Sequence, residues 1–195
     1  MNTSFTSLLD LPGPFSIVYA DPPWSYYGDP NKDQAAGKHY SCMTDDQLAE
    51  LPVRDILSPN AVVFLWATCP RLDSAIFLLR EWGLYFRGVS FVWVKTRKDG
   101  GIINGQGIRP TLTKPTTEMV LAGTTTAKGR TLPIIDEGVP QVVLAPRGRH
   151  SAKPPEVRDL IVRLLGDIPR LELFARERVP GWEAWGNEVD TSVFL

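Results

Sequence analysis

Apolar residues in this chain gather into short runs broken by Gly, Pro, Asn and Asp, and two periodicities alternate along it. Runs at residues 17–20, 62–67, 85–94, 117–122, 141–145, 171–174 and 182–185 have strand length and β-branched or aromatic content, which predicts seven strands. Helical spacing appears between some of them. Thr44 followed by Asp45, Asp46 and Gln47 is a capping-box signature and predicts a short helix through Leu51. After Pro70, the residues Leu72, Ala75, Ile76, Leu79 and Trp82 recur on one helical face, and Gly83 stops it. Pro155 opens a third helix whose stripe is Val157, Leu160, Ile161, Leu164 and Leu165, with Gly166 at its end. Strands alternating with helices predict an α/β fold, with a mostly parallel seven-stranded sheet covered by helices on both faces.

Composition narrows this little. The 195 residues fit one domain spanning 1–195, with 1–14 as an N-terminal extension, and can bury a core without metals or disulfides. With 43% apolar and 22% charged residues, no membrane span is expected. The first residues lack the basic and apolar regions of a signal peptide, and Cys42, Cys69, His39 and His150 lack metal-type spacing, so a cytoplasmic protein with reduced thiols and no metal is expected. Net charge is −1, but positive residues gather at Lys95, Arg97 and Lys98, at Arg109 and Lys114, and at Arg147, Arg149 and Lys153. Each group lies in a Gly- or Pro-rich connection, where phosphate contacts and plain solvated charge are both at home. The Gly-rich stretch 96–116 reads as a mobile substrate-facing loop.

The densest chemistry is Asp21-Pro22-Pro23-Trp24, directly after the first strand. A strand's carboxyl end is where open α/β sheets bind ligands. The prolines stiffen the turn, leaving the Asp21 and Pro22 carbonyls as acceptors, and Trp24 offers a stacking plane. A planar base with an amino group suits this set, because the Asp21 carboxylate and Pro22 carbonyl can each accept one of its hydrogens. Lys153, before the third helix, could neutralise a ligand carboxylate or simply face solvent. The strand 171–174, with Glu172, Phe174 and Arg176, and the following Gly186-Asn187-Glu188 suit an adenosyl ligand's ribose, though a final strand with polar ends reads equally from them. Without a G-x-G-x-x-G or G-K-[ST] loop, NAD and ATP are disfavoured.

In order along the chain come Tyr19-Ala20-Asp21-Pro22-Pro23-Trp24, His39-Tyr40, Met43-Thr44-Asp45-Asp46, Phe64-Leu65-Trp66, Trp93-Val94-Lys95-Thr96, Ser151-Ala152-Lys153-Pro154, Glu172-Leu173-Phe174-Ala175-Arg176 and Gly186-Asn187-Glu188. Over about residues 15–190 the chain resembles the MT-A family of S-adenosylmethionine-dependent adenine methyltransferases. The resemblance implies a Rossmann-like methyltransferase fold in permuted motif order, the catalytic motif preceding the cofactor motif. It implies that Asp21, Pro22, Pro23 and Trp24 hold the adenine amino group and that Tyr40 gates the base. It assigns Lys153, Glu172, Phe174, Arg176, Asn187 and Glu188 to S-adenosylmethionine, with Ile17 and Asp21 nearby. Lys95, Arg147 and Arg149 are the expected nucleic-acid contacts. The compact chain favours DNA over RNA as substrate, acting alone or as a homo- or heterodimer. An RNA adenosine methyltransferase and a non-catalytic nucleic-acid-binding subunit are the alternatives.

Overall fold

The computed structural model describes residues 7–25, 42–105, 112–129, 131–148 and 152–189. The runs form strands β1 (Phe15–Ala20), β2 (Leu57–Thr68), β3 (Tyr85–Thr96), β4 (Thr117–Thr124), β5 (Val142–Pro146), β6 (Arg170–Leu173) and β7 (Glu183–Trp185). They make one sheet in the order β5-β3-β4-β2-β1-β6-β7. The pairs β1·β2, β1·β6, β3·β5 and β6·β7 are parallel, whereas β4 runs antiparallel to both β2 and β3. The sheet is therefore mixed, which corrects the expectation of a mostly parallel one. A parallel neighbour needs a long crossover, and the 96–116 segment carries no helix-length apolar stripe to make one. The next strand, β4, accordingly runs back alongside β3. That segment also begins with a tight turn, in which Arg97 N–H donates to the Gly101 carbonyl at 2.7 Å and Ile103 N–H to the Lys95 carbonyl at 3.1 Å. Residues 106–111, with Arg109, lie outside the described residues.

Helices α1 (Asp45–Ala49), α2 (Leu72–Glu81) and α3 (Glu156–Leu165) follow the predicted signals. Thr44 and Gln47 form the reciprocal capping box, and Gly83 and Gly166 take positive φ just past the ends of α2 and α3. One sheet face packs Val18, Val63, Leu65 and Leu121 beneath Leu48 of α1 and Ala75, Leu78 and Leu79 of α2. The alternate residues, Ile17, Tyr19, Val62, Phe64 and Trp66, face Val157, Ile161 and Leu165 of α3. Period-two alternation thus gives each strand two apolar faces and each helix a surface to cover. Among the described residues no helix is long and apolar enough to cross a membrane.

The α3 face is aromatic. Trp66 meets Tyr19 and Trp93 edge-on, and its indole N–H donates to the Tyr19 hydroxyl at 2.6 Å. This bond fixes Trp66 at the floor of the sheet's carboxyl edge. Tyr19→Phe leaves that buried N–H without an acceptor and is expected to cost about 1–3 kcal/mol. Urea denaturation checks this: the midpoint falls while the far-ultraviolet spectrum of the native state is unchanged.

Candidate active site

The chain leaves β1 toward β2 on one side, while β6 and β7 lie on the other. The neighbours β1 and β6 therefore meet at the point where strand order reverses, and a crevice opens beyond their carboxyl ends. A cleft with about 1140 Å³ of empty space, counting its open mouth, occupies that position. Its wall includes Asp21 to Ser25 after β1, Trp66 to Thr68 at the end of β2, Glu118 at the start of β4, Lys153 before α3, and Phe174 to Arg176 with Trp185, Asn187 and Glu188 beyond β6 and β7. Because β4 is antiparallel, an early residue of that strand reaches the same edge as the late residues of the others.

The Asp21–Trp24 turn is held by its own backbone and by its neighbours. Trp24 N–H donates to the Pro22 carbonyl at 2.8 Å, and Met43 N–H donates to the Pro23 carbonyl at 2.9 Å. The Trp24 indole N–H donates to the Trp66 carbonyl at 3.2 Å, and the side chain is buried, leaving part of its ring as cleft wall. This corrects the expectation that the Pro22 carbonyl is unengaged: Trp24 uses one of its lone pairs and one remains.

Lys153 is the hub of the charged groups. Its Nζ lies 2.8 Å from both Oδ1 and Oδ2 of Asp21 and 3.4 Å from Oε2 of Glu118. Lys95 Nζ donates to Glu118 Oε1 at 2.6 Å, so Glu118 sits between two ammonium groups. Burial pushes the Asp21 carboxyl above the usual aspartate range, and the Lys153 charge only partly offsets that. Burial disfavours ionised Glu118 too, but Lys153 and Lys95 outweigh it and hold its carboxyl below the usual range. Burial disfavours the Lys153 ammonium, yet Asp21 and Glu118 keep its pKa above that of a free lysine. Two sequence readings change here. Lys153 already has protein carboxylates to neutralise, and Lys95 turns inward to Glu118 and is not among the residues lining the cleft.

Opposite stand Phe174 and Trp185, whose rings meet edge-on at 5.9 Å. Phe174 adopts a positive φ of 62°, unusual without glycine, and this turn lets Ala175 N–H donate to the Trp185 carbonyl at 3.0 Å. A Cβ on Gly186 would fall 2.3 Å from the Ala175 carbonyl oxygen, so only glycine brings Asn187 and Glu188 this close. Arg176 Nε lies 3.7 Å from Glu188 Oε1.

The structure thus brings together Asp21, Pro22, Pro23, Trp24, Lys153, Phe174, Arg176, Asn187 and Glu188. It does not bring Ile17 or Glu172 to the cleft wall. Ile17 is buried in the α3-side core, and Glu172 accepts from Arg158 at 2.8 Å. Arg147 lies exposed just past β5, and Tyr40 and Arg149 lie outside the described residues. Sequence reasoning missed Glu118 and Arg71, both of which line the cleft. Glu118 had a signal, since a carboxylate inside an otherwise apolar strand requires a partner. Among the described residues no group of three His, Cys, Asp or Glu side chains could hold a metal ion.

Carboxylate, indole and ammonium converging at a strand-order switch define a ligand-binding site of the open α/β class. The MT-A70 family model matches residues 15–188, and the chain belongs to that family. The Type II methyltransferase M.MunI of Mycoplasma sp is 31% identical over 193 residues, covering 90% of this chain and 78% of its own length. Human METTL4, an N(6)-adenine-specific methyltransferase, is 28% identical, and human METTL3, the N(6)-adenosine-methyltransferase catalytic subunit, is also 28% identical. This chain spans 39% of the first and 29% of the second.

Removing the hub charge leaves the buried Asp21 carboxylate beside Glu118, which keeps only Lys95 as its cation. Lys153→Met is expected to lower stability by about 3–5 kcal/mol near neutral pH. In that variant the folded-state pKa of Asp21 stands still further above its unfolded value, so the penalty builds as pH rises through the unfolded carboxylate range. It disappears below that range, where the groups are protonated in both states. Denaturation midpoints of wild type and variant should therefore converge as the pH is lowered.

Proposed function

We propose that the protein transfers a methyl group from S-adenosylmethionine to the exocyclic amino group of adenine in nucleic acid. The observation that carries this reading is the Asp21 carboxylate, buried in a proline-stiffened turn between Trp24 and Lys153 at the edge where β1 meets β6. DNA is favoured as the substrate, because M.MunI is matched over 78% of its own length. RNA is the second reading, supported by the N(6)-adenosine relatives such as METTL3.

The donor set suits the cofactor. Asn187 and Glu188 offer an amide and a carboxylate for ribose hydroxyls, Phe174 and Trp185 an aromatic wall, and Arg176 a cation for the carboxylate tail. Bound S-adenosylmethionine supplies an electrophilic methyl group on a sulfonium. The protein contributes placement and electrostatics. Trp24 gives the base a rigid stacking surface, while Asp21 and the remaining lone pair of the Pro22 carbonyl accept from its amino group. Those acceptors favour the charge that develops on nitrogen as its lone pair is drawn out of the ring. Asp21, with its pKa pushed up, also suits holding the proton that the amine sheds. In duplex DNA the base must leave the stack first, at a cost of a few kcal/mol.

In chain order the Asp21 turn precedes the Phe174–Glu188 region, the order expected of a permuted Rossmann-like methyltransferase. The β5 edge, with exposed Val142 and Leu144, suits pairing with a second subunit. We propose further that residues 1–195 act as one methyltransferase domain, in the cytoplasm.

Nucleoside mass spectrometry after incubation with labelled cofactor and matched DNA or RNA pools tests the reaction. N(6)-methyladenine is expected in the DNA pool, and Asp21→Ala should lower its rate by about 10²–10³ or more while cofactor binding persists. Unchanged methylation by a folded Asp21→Ala protein would overturn the assignment. Because Asp21 must be ionised to accept, kcat/KM should fall on the acid side at a pH above the usual aspartate range. Glu118→Gln removes a like charge from beside Asp21 and is expected to move that acid limb to lower pH.

A further inference from the structure

Arg71 has no role in the reading above, yet it is among the most completely engaged side chains at the cleft. It leaves the short turn between β2 and α2 with only 8% of its side chain exposed and forms part of the cleft wall. Nη1 donates to both carboxylate oxygens of Asp45, at 3.3 and 3.2 Å, and to Ser74 Oγ at 3.2 Å. Nη2 donates to Ser25 Oγ at 3.0 Å. One planar guanidinium therefore joins three separate pieces: the first residue of α1, the first turn of α2, and the residue immediately after Trp24.

We infer that Arg71 is a positioning residue for methyl transfer, bracing the Asp21–Ser25 turn so that the Trp24 ring and Asp21 carboxylate keep a fixed relation. This rests on the methyltransferase reading. The turn needs an external brace for a physical reason. Its prolines supply no N–H, so its backbone ties are short-range or single: Trp24 N–H donates to Pro22 within the turn, and one isolated parallel bridge joins Trp24 to Met43, whose N–H donates to Pro23. Trp24 is anchored through its indole to β2, but the end of the turn at Ser25 is held to the helical layer by Arg71. Lysine cannot do this, because a single ammonium lacks the fork that reaches Asp45 and Ser25 in different directions. The inference therefore separates two jobs. Charge pairing with Asp45 serves stability and survives Arg71→Lys, whereas the Ser25 arm serves placement and does not.

The test compares Arg71→Lys, Ser25→Ala and the double variant. Each is expected to keep a denaturation midpoint near wild type and an unchanged Kd for S-adenosylmethionine, while kcat falls on the order of tenfold, as misplacement of reacting groups does. Because both single changes cut the same arm, the double variant should lose no more than either alone. Amide hydrogen exchange on the same proteins gives a readout independent of the reaction, with faster exchange expected at Trp24 and Met43. Wild-type kcat in Arg71→Lys, losses that multiply in the double variant, or unchanged exchange at Trp24 and Met43 would each overturn the brace. No methylation by the wild-type protein, with faster exchange in the variants, would remove the reaction but keep the brace.

Discussion

The pairing of Lys153 with Asp21 is the interaction on which the site depends. It joins residues 132 positions apart and ties the loop before α3 to the end of β1. A buried ammonium is tolerable only with well-placed anions, and buried carboxylates only with cations, so each member of the set Lys95, Glu118, Lys153 and Asp21 is a condition for the others. The order of charges along it is uneven in a useful way. Glu118 has two cations and stays ionised, whereas at Asp21 burial outweighs the one ammonium it shares and raises the pKa.

Beneath the charges lies a hydrocarbon and aromatic frame that makes their burial affordable. Trp66 links the layers: its ring contacts Tyr19 and Trp93, its carbonyl receives the Trp24 indole N–H, and Lys153 Nζ stands 5.5 Å from its ring centre. One residue near the end of β2 thus touches the core, the Asp21–Trp24 turn and the ammonium. A cation over an indole face gains electrostatic attraction that water would otherwise provide.

Much of this was legible in the sequence, and the rest was not for identifiable reasons. The helices could be read because Thr44 with Gln47, Gly83 and Gly166 mark ends by local chemistry. The Asp21–Trp24 turn could be read because its residue types have few other uses together. The orientation of β4 could not, since an apolar run carries no sign of direction. The inward turn of Lys95 was visible in principle: it lies two residues beyond Trp93 and four beyond Phe91, and strand alternation places all three on the covered face. Arg71 gave no local signal, because its partners Ser25, Asp45 and Ser74 converge only in three dimensions.

The reversed direction of β4 has one more consequence. Since β4 ends and β5 begins at the edge away from the cleft, the turn around Ala127 and Gly129 belongs wholly to that far edge, where Arg87 donates to both carbonyls. Seven residue steps along β4, roughly 23 Å at strand rise, separate Thr124 from Thr117 beside the cleft. Gly129 itself, at a φ of 78°, would resist a side chain, but Lys128 beside it is exposed. The molecule therefore has a natural handle: a fluorophore, tether or inserted peptide could be seated there, reporting on the chemistry from a full strand's length away.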